Sequence, residues 1–355
     1  MYFRNLSRIN QILFFGLAIL AALYYGAEFL IPITFAAFLA ALVSPVCNLL
    51  QGAGLGKIFS SLLCTLLIFV VVGALAYLMF YQLKIFADDL PLIKEQAKNF
   101  LHGLQEQLSS ATGISRQEQK QFFDERSDTF LSMLEDQLTL FLSSLFFVIL
   151  KFLLTLVYLF LFLLYRKRFQ KVVMMYVDRE DNTKAEKIMN ESSRVVHHFL
   201  WGRVKVMALL AIMYLIAFWI FDLQYMILLT LFGAIITIIP YLGPLMSGIL
   251  PVIMYMIFND SFSDILLFTA VVFVIQLIES YLLEPLIIGS EVRISPLAVI
   301  LAIIVGGRIW GLAGMILFVP LLAIIKIYAD HTQTLKPIGI LLGNDPDKDK
   351  KKNKD

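Results

Sequence analysis

Thirty-seven consecutive residues, Leu223 to Asn259, carry no charged side chain, and Pro240, Pro244 and Pro251 interrupt them together with Gly233, Gly243 and Gly248. A membrane-spanning helix needs about 20 apolar residues, so this run is too long for one span and must break. Ile238 to Pro244, Ile-Ile-Pro-Tyr-Leu-Gly-Pro, supplies the break. Proline lacks a backbone donor, clashes with the preceding turn and biases the residue before it away from helix. Unwound backbone at membrane depth is tolerated only where protein or a water-filled cavity satisfies it, and interrupted hydrophobic segments build the substrate sites of many transporters. Two readings stay open here: a pathway past Pro240, Tyr241, Gly243 and Pro244, or a kinked helix that makes a packing corner.

The rest of the chain places this run in a bilayer. Residues of the AVILMFWYC set make up 59% of the sequence and charged residues only 16%, outside the range of soluble domains. The fold class expected is all-α: a polytopic helical membrane protein with about eight transmembrane segments, a broken or re-entrant helix and an extracytoplasmic helical hairpin. The formal net charge of +2 gives no argument for nucleic acid. Cys47 and Cys64 lie in apolar surroundings, where a thiol is usually a small buried hydrophobe. The four histidines show no zinc spacing, so neither a disulfide, a metal site nor a cofactor is expected.

Uncharged runs set the expected boundaries. Residues 1–83 hold the N-terminal spans: Ile9 to Ala27, read as an uncleaved first helix, then Phe29 to Leu50 with Pro32 and Pro45, then the twenty-six uncharged residues Ile58 to Leu83. Residues 84–140 turn polar and helical. Leu90, Ile93, Ala97, Phe100, Leu104 and Leu108 recur at steps of three and four, and Ser115 to Glu118 has the capping-box pattern, which together suggest the extracytoplasmic hairpin. Residues 141–165 form the next span and 166–204 a cytoplasmic amphipathic segment, with Ala185, Ile188, Val195, Val196 and Phe199 on its stripe. Residues 205–330 form a C-terminal transmembrane core, and 331–355 a cytoplasmic tail, disordered at its Lys/Asp-rich end.

Charge segregation sets the orientation. Lys84 to Leu140 carries six Lys/Arg against ten Asp/Glu, whereas Arg166 to Lys205 carries ten against five. The positive-inside rule then places both termini and the Arg166 cluster in the cytoplasm.

Charged groups inside an apolar region are functional candidates because burying them is costly. Gln276, Glu279 and Ser280 share a face at helical spacing, and Glu284 precedes Pro285 where the helix is expected to end. Glu279 binds a proton, a cation or a polar substrate on one reading; on the other, Glu279 and Glu284 make an interhelical ion pair or sit as interfacial carboxylates. Arg308, in the glycine-rich Gly306 to Gly314, snorkels, contacts an anionic substrate or pairs with Glu279. Pairing is favoured because a centrally placed guanidinium needs an acceptor. His197 and His198 are adjacent and face different directions, so a structural role is favoured. No nucleophile elbow, metalloprotease motif, phosphate loop or dinucleotide fingerprint occurs, which argues against an enzyme.

The order of these motifs resembles the autoinducer-2 exporter family of bacterial membrane proteins. The likeness rests on Ile239-Pro-Tyr-Leu-Gly-Pro244 with Pro251, Gln276-Leu-Ile-Glu279, Leu283-Glu-Pro285, Ile288-Gly289, Ser295-Pro296-Leu297, Gly306-Gly307, Gly311, Gly314 and Val319-Pro320-Leu321. Leu30-Ile-Pro32 and Ser44-Pro45-Val46 resemble its early proline segment. Ser295 stands where many members carry histidine. The resemblance implies an eight-helix protein of the bacterial inner membrane that assembles as a ring-like homo-oligomer such as a pentamer. It also implies the lipid bilayer and a small polar solute or a monovalent cation as partners, with export of autoinducer-2 or, as in other branches, sodium/proton antiport. A membrane scaffold without transport activity is the third reading.

Overall fold

The computed structural model describes residues 2–100, 147–175, 182–288 and 294–343. Most of the expected extracytoplasmic hairpin, the link residues Gly289, Glu291 and Arg293, and the Lys/Asp tail lie outside these. Among the described residues there is helix and no strand. The chain is a polytopic helical membrane protein. Its helices are α1 (Tyr2–Tyr25), α2 (Ala27–Gly52), α3 (Lys57–Asp88), α4 (90–100), α5 (Phe147–Met175), α6 (Asn182–Ile220), α7 (Met226–Ile236), α8 (Leu242–Phe258), α9 (Phe262–Ile278), α10 (Pro296–His331) and α11 (Lys336–Leu342). A π-helical segment, Glu279–Ile288, continues α9. By length and composition α2, α3, α5, α6, α10 and α9 with its continuation can each cross a membrane, and Phe14–Tyr25, α7 and α8 are shorter apolar helices.

The chain forms two compact units, Met1–Phe69 with Lys151–Arg203 and Ile287–Asp355, and Val70–Leu150 with Val204–Leu286. The amphipathic segment and the span after it form one helix, α6. Its 39 residues extend about 58 Å at 1.5 Å per residue, nearly twice the ~30 Å hydrocarbon core.

In the first unit, the α6 stripe finds its partner in α10: Val195 is buried with Ile294, Ala298, Ala323 and Ile327. The two ends of α10 therefore meet. Gly311, at φ 60 and ψ −139, leaves the helical region, and the chain folds back on itself there. Gly306 and Gly314 come into backbone contact, and the Trp310 and Phe318 rings meet edge to face at 5.3 Å. The final apolar stretch is thus a helical hairpin and not the single rod its hydropathy suggests. At its turn, Trp310 Nε1 donates to the Leu23 carbonyl of α1 at 2.8 Å.

Pro45 shapes the other contact of α6. A proline at this position cannot donate to the carbonyl four residues earlier, which is that of Ala41. Ser44 Oγ donates to that oxygen at 3.1 Å and His197 Nδ1 lies 3.2 Å from it. Trp201 Nε1, one turn on along α6, donates to the neighbouring Leu42 carbonyl at 2.9 Å. His197 therefore serves the α2 backbone, the structural role expected from its spacing.

In the second unit, α6, α8 and α9 pack through aromatic rings. Phe218 and Phe268 are fully buried. Tyr255 stacks on Phe268 at 4.3 Å, and Phe221 meets Phe268 at 5.2 Å.

Candidate functional site

The long uncharged run breaks at its first proline and returns. Gly233 of α7 lies across from Ser247 of α8, and Gly243 fits against the Ile236 carbonyl and the Thr237 Cα. At the open end the Tyr225 and Phe258 rings are 6.2 Å apart. The two helices are therefore antiparallel. At 11 residues, α7 extends about 16 Å, too short for the ~30 Å core.

The turn is tight and strained. Pro240 is buried, and its carbonyl accepts from Leu242 N–H at 2.8 Å, while Gly243 N–H donates to the Ile239 carbonyl at 2.8 Å. Tyr241 between them sits at φ 67 and ψ −47, the rarer positive-φ form of γ-turn. Such conformations persist in non-glycine residues only where the surroundings enforce them, and they cluster at functional sites. Gly243 leaves no room for a Cβ.

Beneath this turn lies a polar cluster drawn from three helices. Gln276 Nε2 of α9 donates to Tyr214 Oη of α6 at 2.8 Å and to Ser247 Oγ of α8 at 2.9 Å. Tyr214 Oη also donates to Ser247 Oγ at 3.2 Å, and Ser247 Oγ donates on to the Pro244 carbonyl at 3.1 Å. Tyr214 and Ser247 are fully buried. A hydroxyl or amide desolvated without a partner costs roughly 1–3 kcal/mol, and here the three side chains satisfy one another. Gly248 lets Gln276 approach α8: a Cβ there would stand 3.1 Å from Nε2.

A groove of about 520 Å³ opens beside the cluster, walled by α8 and α9. Tyr241, Pro244, Gly248, Thr269 and Gln276 line it together with aliphatic side chains and Phe273, and among the described residues no charged one does. The groove thus offers apolar walls with a few hydroxyl and amide groups, the composition usual for small-molecule sites.

The predicted residues separate into groups. Pro240, Tyr241, Gly243, Pro244 and Gln276 come together at the turn and groove. Glu279 is fully buried at the junction of α9 and the π-helical segment. Ser280 is exposed and does not share Glu279's environment, since adjacent residues on a helix point in directions about 100° apart. Glu284 lies half-buried inside that segment, which runs through Pro285 to Ile288 instead of ending. Single-turn π bulges are common at functional sites, and ten residues of such winding are rare. Arg308 is exposed on α10, in the other unit. Tyr214 and Ser247 were missed in the sequence. Each is a polar group inside an apolar helical run, and that was the available signal.

A family model described as AI-2E family transporter matches residues 13–334. The AI-2 transport protein TqsA of Escherichia coli (strain K12) is 27% identical over 330 residues, 92% of each chain. YrrI of Bacillus subtilis (strain 168) is 24% identical over 313 residues, 85% of this chain and 86% of that one. YueF of the same strain is 31% identical over 161 residues, 45% of this chain and 43% of its own. A match over nearly the whole length, on a polytopic helical chain with an interrupted hairpin, places the protein in the AI-2E family of transporters, and it is a membrane transport protein.

Proposed function

We propose that the protein exports a small, uncharged polar molecule of the autoinducer-2 kind, with the α7–α8 hairpin and the Gln276 cluster forming part of the route. The observation that carries this reading is the groove beside Tyr241 and Gln276, whose described lining residues offer hydroxyl and amide groups and no charge. A polyhydroxylated solute needs donors and acceptors to replace its water, and a charge-free site does not favour an ion over it. The name of TqsA, similar over 92% of each chain, supports the same substrate class.

Topology adds to the reading. With α1, α2, α3, α5, α6 and α9 as crossings, the positive-inside rule puts residues 221–225 outside and the Ile288 end of the π-helical segment in the cytoplasm. The α7–α8 hairpin then enters from outside and the α10 hairpin from the cytoplasm, in the bacterial inner membrane. Interrupted helices that reach the bilayer midplane are a recurring source of transporter sites.

Sodium/proton antiport is the second reading, favoured by the complete burial of Glu279, since an intramembrane carboxylate is costly and suits ion exchange. Flux in proteoliposomes separates the two. Export predicts autoinducer-2 movement by wild type, reduced about tenfold or more in Gln276→Leu, with no sodium-dependent proton movement. Antiport predicts sodium-dependent proton movement that Glu279→Gln abolishes. Folded wild type that moves neither species would exclude both substrates.

A further inference from the structure

We infer that the first unit holds a binding site for a phosphate group, at the end of α5 where Arg166 and Lys167 face α2 across a cavity of about 550 Å³. The site is built by helical spacing. Arg166, Lys167 and Gln170 lie on one face of α5, and Ala37, Ala40, Ala41, Ser44 and Asn48 on one face of α2. The small residues of α2 leave the space. Ser193 of α6 adds a hydroxyl at the edge.

Electrostatics select the ligand. Among the described residues two cations line the cavity and no carboxylate does. Arg166 Nη2 donates to Gln51 Oε1 at 2.9 Å, and Gln51 Nε2 lies 3.4 Å from Cys47 Sγ. That neutral acceptor fixes the guanidinium in place without cancelling its charge, and the remaining N–H groups of its fork suit two oxygens of one phosphate. Lys167 adds a point charge, and the Asn48 and Gln170 amides add donors. Phe162, Leu163 and Phe169 form an apolar wall, so the cavity fits a phosphate carried on an organic group better than a bare ion. Charge segregation puts this end of α5 at the cytoplasmic face, where basic pockets between membrane helices bind anionic headgroups. A phospholipid headgroup and a soluble phosphate ester share this chemistry.

The test uses the full-length protein in mild detergent, with native mass spectrometry after addition of phosphatidylglycerol. A retained phosphatidylglycerol is expected on wild type. Its occupancy should fall roughly fivefold in Lys167→Gln, the loss typical of one basic contact to an anionic lipid, and further in Lys167→Gln with Gln170→Leu. Arg168→Gln with Lys171→Gln removes two charges of the same cluster outside this cavity and should leave occupancy within about twofold. Millimolar glycerol phosphate that displaces the lipid assigns the site to phosphate esters generally. Failure to displace it assigns the site to the phospholipid. Equal losses in the two sets of variants would reduce the binding to adsorption on a basic surface and overturn the inference, and so would wild type that retains neither compound.

Discussion

Gly306 and Gly314 lie against one another across the fold of α10, close enough that a Cβ on either would overlap the other's carbonyl. In a straight helix residues eight apart are separated by about 12 Å along the axis. The contact exists because Gly311 adopts φ 60 and ψ −139, a combination that a side chain disfavours.

Gly314→Ala should therefore destabilise the protein by about 1–3 kcal/mol, the range for inserting a methyl where the surroundings cannot yield. Backbone is what the methyl would meet, so relief by rotamer change is closed. Gly73→Ala is the control, since a Cβ there has open space and alanine favours helix over glycine by roughly 1 kcal/mol. Thermal melting in detergent should show a lower Tm for Gly314→Ala and an equal or higher one for Gly73→Ala. Matching behaviour of the two variants would mean the α10 hairpin is not closed as described.

At the other hairpin, strain and function can be separated at one residue. Tyr241 holds φ 67 and its side chain is 56% exposed on the groove. Glycine adopts that backbone without penalty. Tyr241→Gly should keep or raise the Tm while lowering solute flux, because it relaxes the turn and removes a groove hydroxyl. A drop in Tm with flux unchanged would show that the ring holds the hairpin together and takes no part in the route.

Hydropathy and proline placement made the membrane class, the helical runs and the break at Pro240 legible, because each depends on residues close in sequence. The direction taken after a break does not. Whether α7 and α8 continue across or fold back depends on Gly233 meeting Ser247 and Gly243 meeting Ile236, contacts between different helices. Gln276 was legible as a polar residue in an apolar helix. Its partners Tyr214 and Ser247 were not, since they lie 62 and 29 residues away. The glycines of α10 signalled close approach but not that Gly311 leaves the helix. Ser280 has the spacing for Gln276's face and is nevertheless exposed, because burial there depends on which helices pack alongside, and spacing within one helix does not give that.

A pH-dependent contact lies just outside the membrane-spanning segments. Tyr225, in the link before α7, donates from Oη to Asp89 Oδ2 at 3.1 Å. Burial pushes the Tyr225 phenol up to about 12, and the hydrogen bond and charge of Asp89 act in the same direction. The sign follows: the folded state holds this proton more tightly than the unfolded chain, so the contribution is complete below pH about 10 and is lost as pH climbs through about 12. In an ultraviolet titration of tyrosinate, wild type minus Tyr225→Phe should show the missing phenol ionising near the upper value. Asp89→Asn should move that step to lower pH. A step unchanged by Asp89→Asn would rule out the carboxylate as a cause.

Pro45 and His197 should behave as one unit. The Ala41 carbonyl that Pro45 deprives of its helical donor is served by Ser44 and His197, and because a carbonyl only accepts, His197 must carry its proton on Nδ1. Removing that donor with His197→Ala should cost about 1 kcal/mol, the usual net worth of such a bond. Pro45→Ala restores an N–H to the helix, so the carbonyl regains its own partner and the loss from His197→Ala should shrink. A double-mutant cycle on thermal or denaturant unfolding in detergent is expected to give a coupling of roughly 0.5–1 kcal/mol. Trp201 provides the contrast: its indole serves Leu42, whose helical donor is Val46 and not the proline. Trp201→Phe should therefore cost nearly the same in either background. Strict additivity for both pairs would mean that α6 holds α2 by packing alone, with no part for the freed carbonyl.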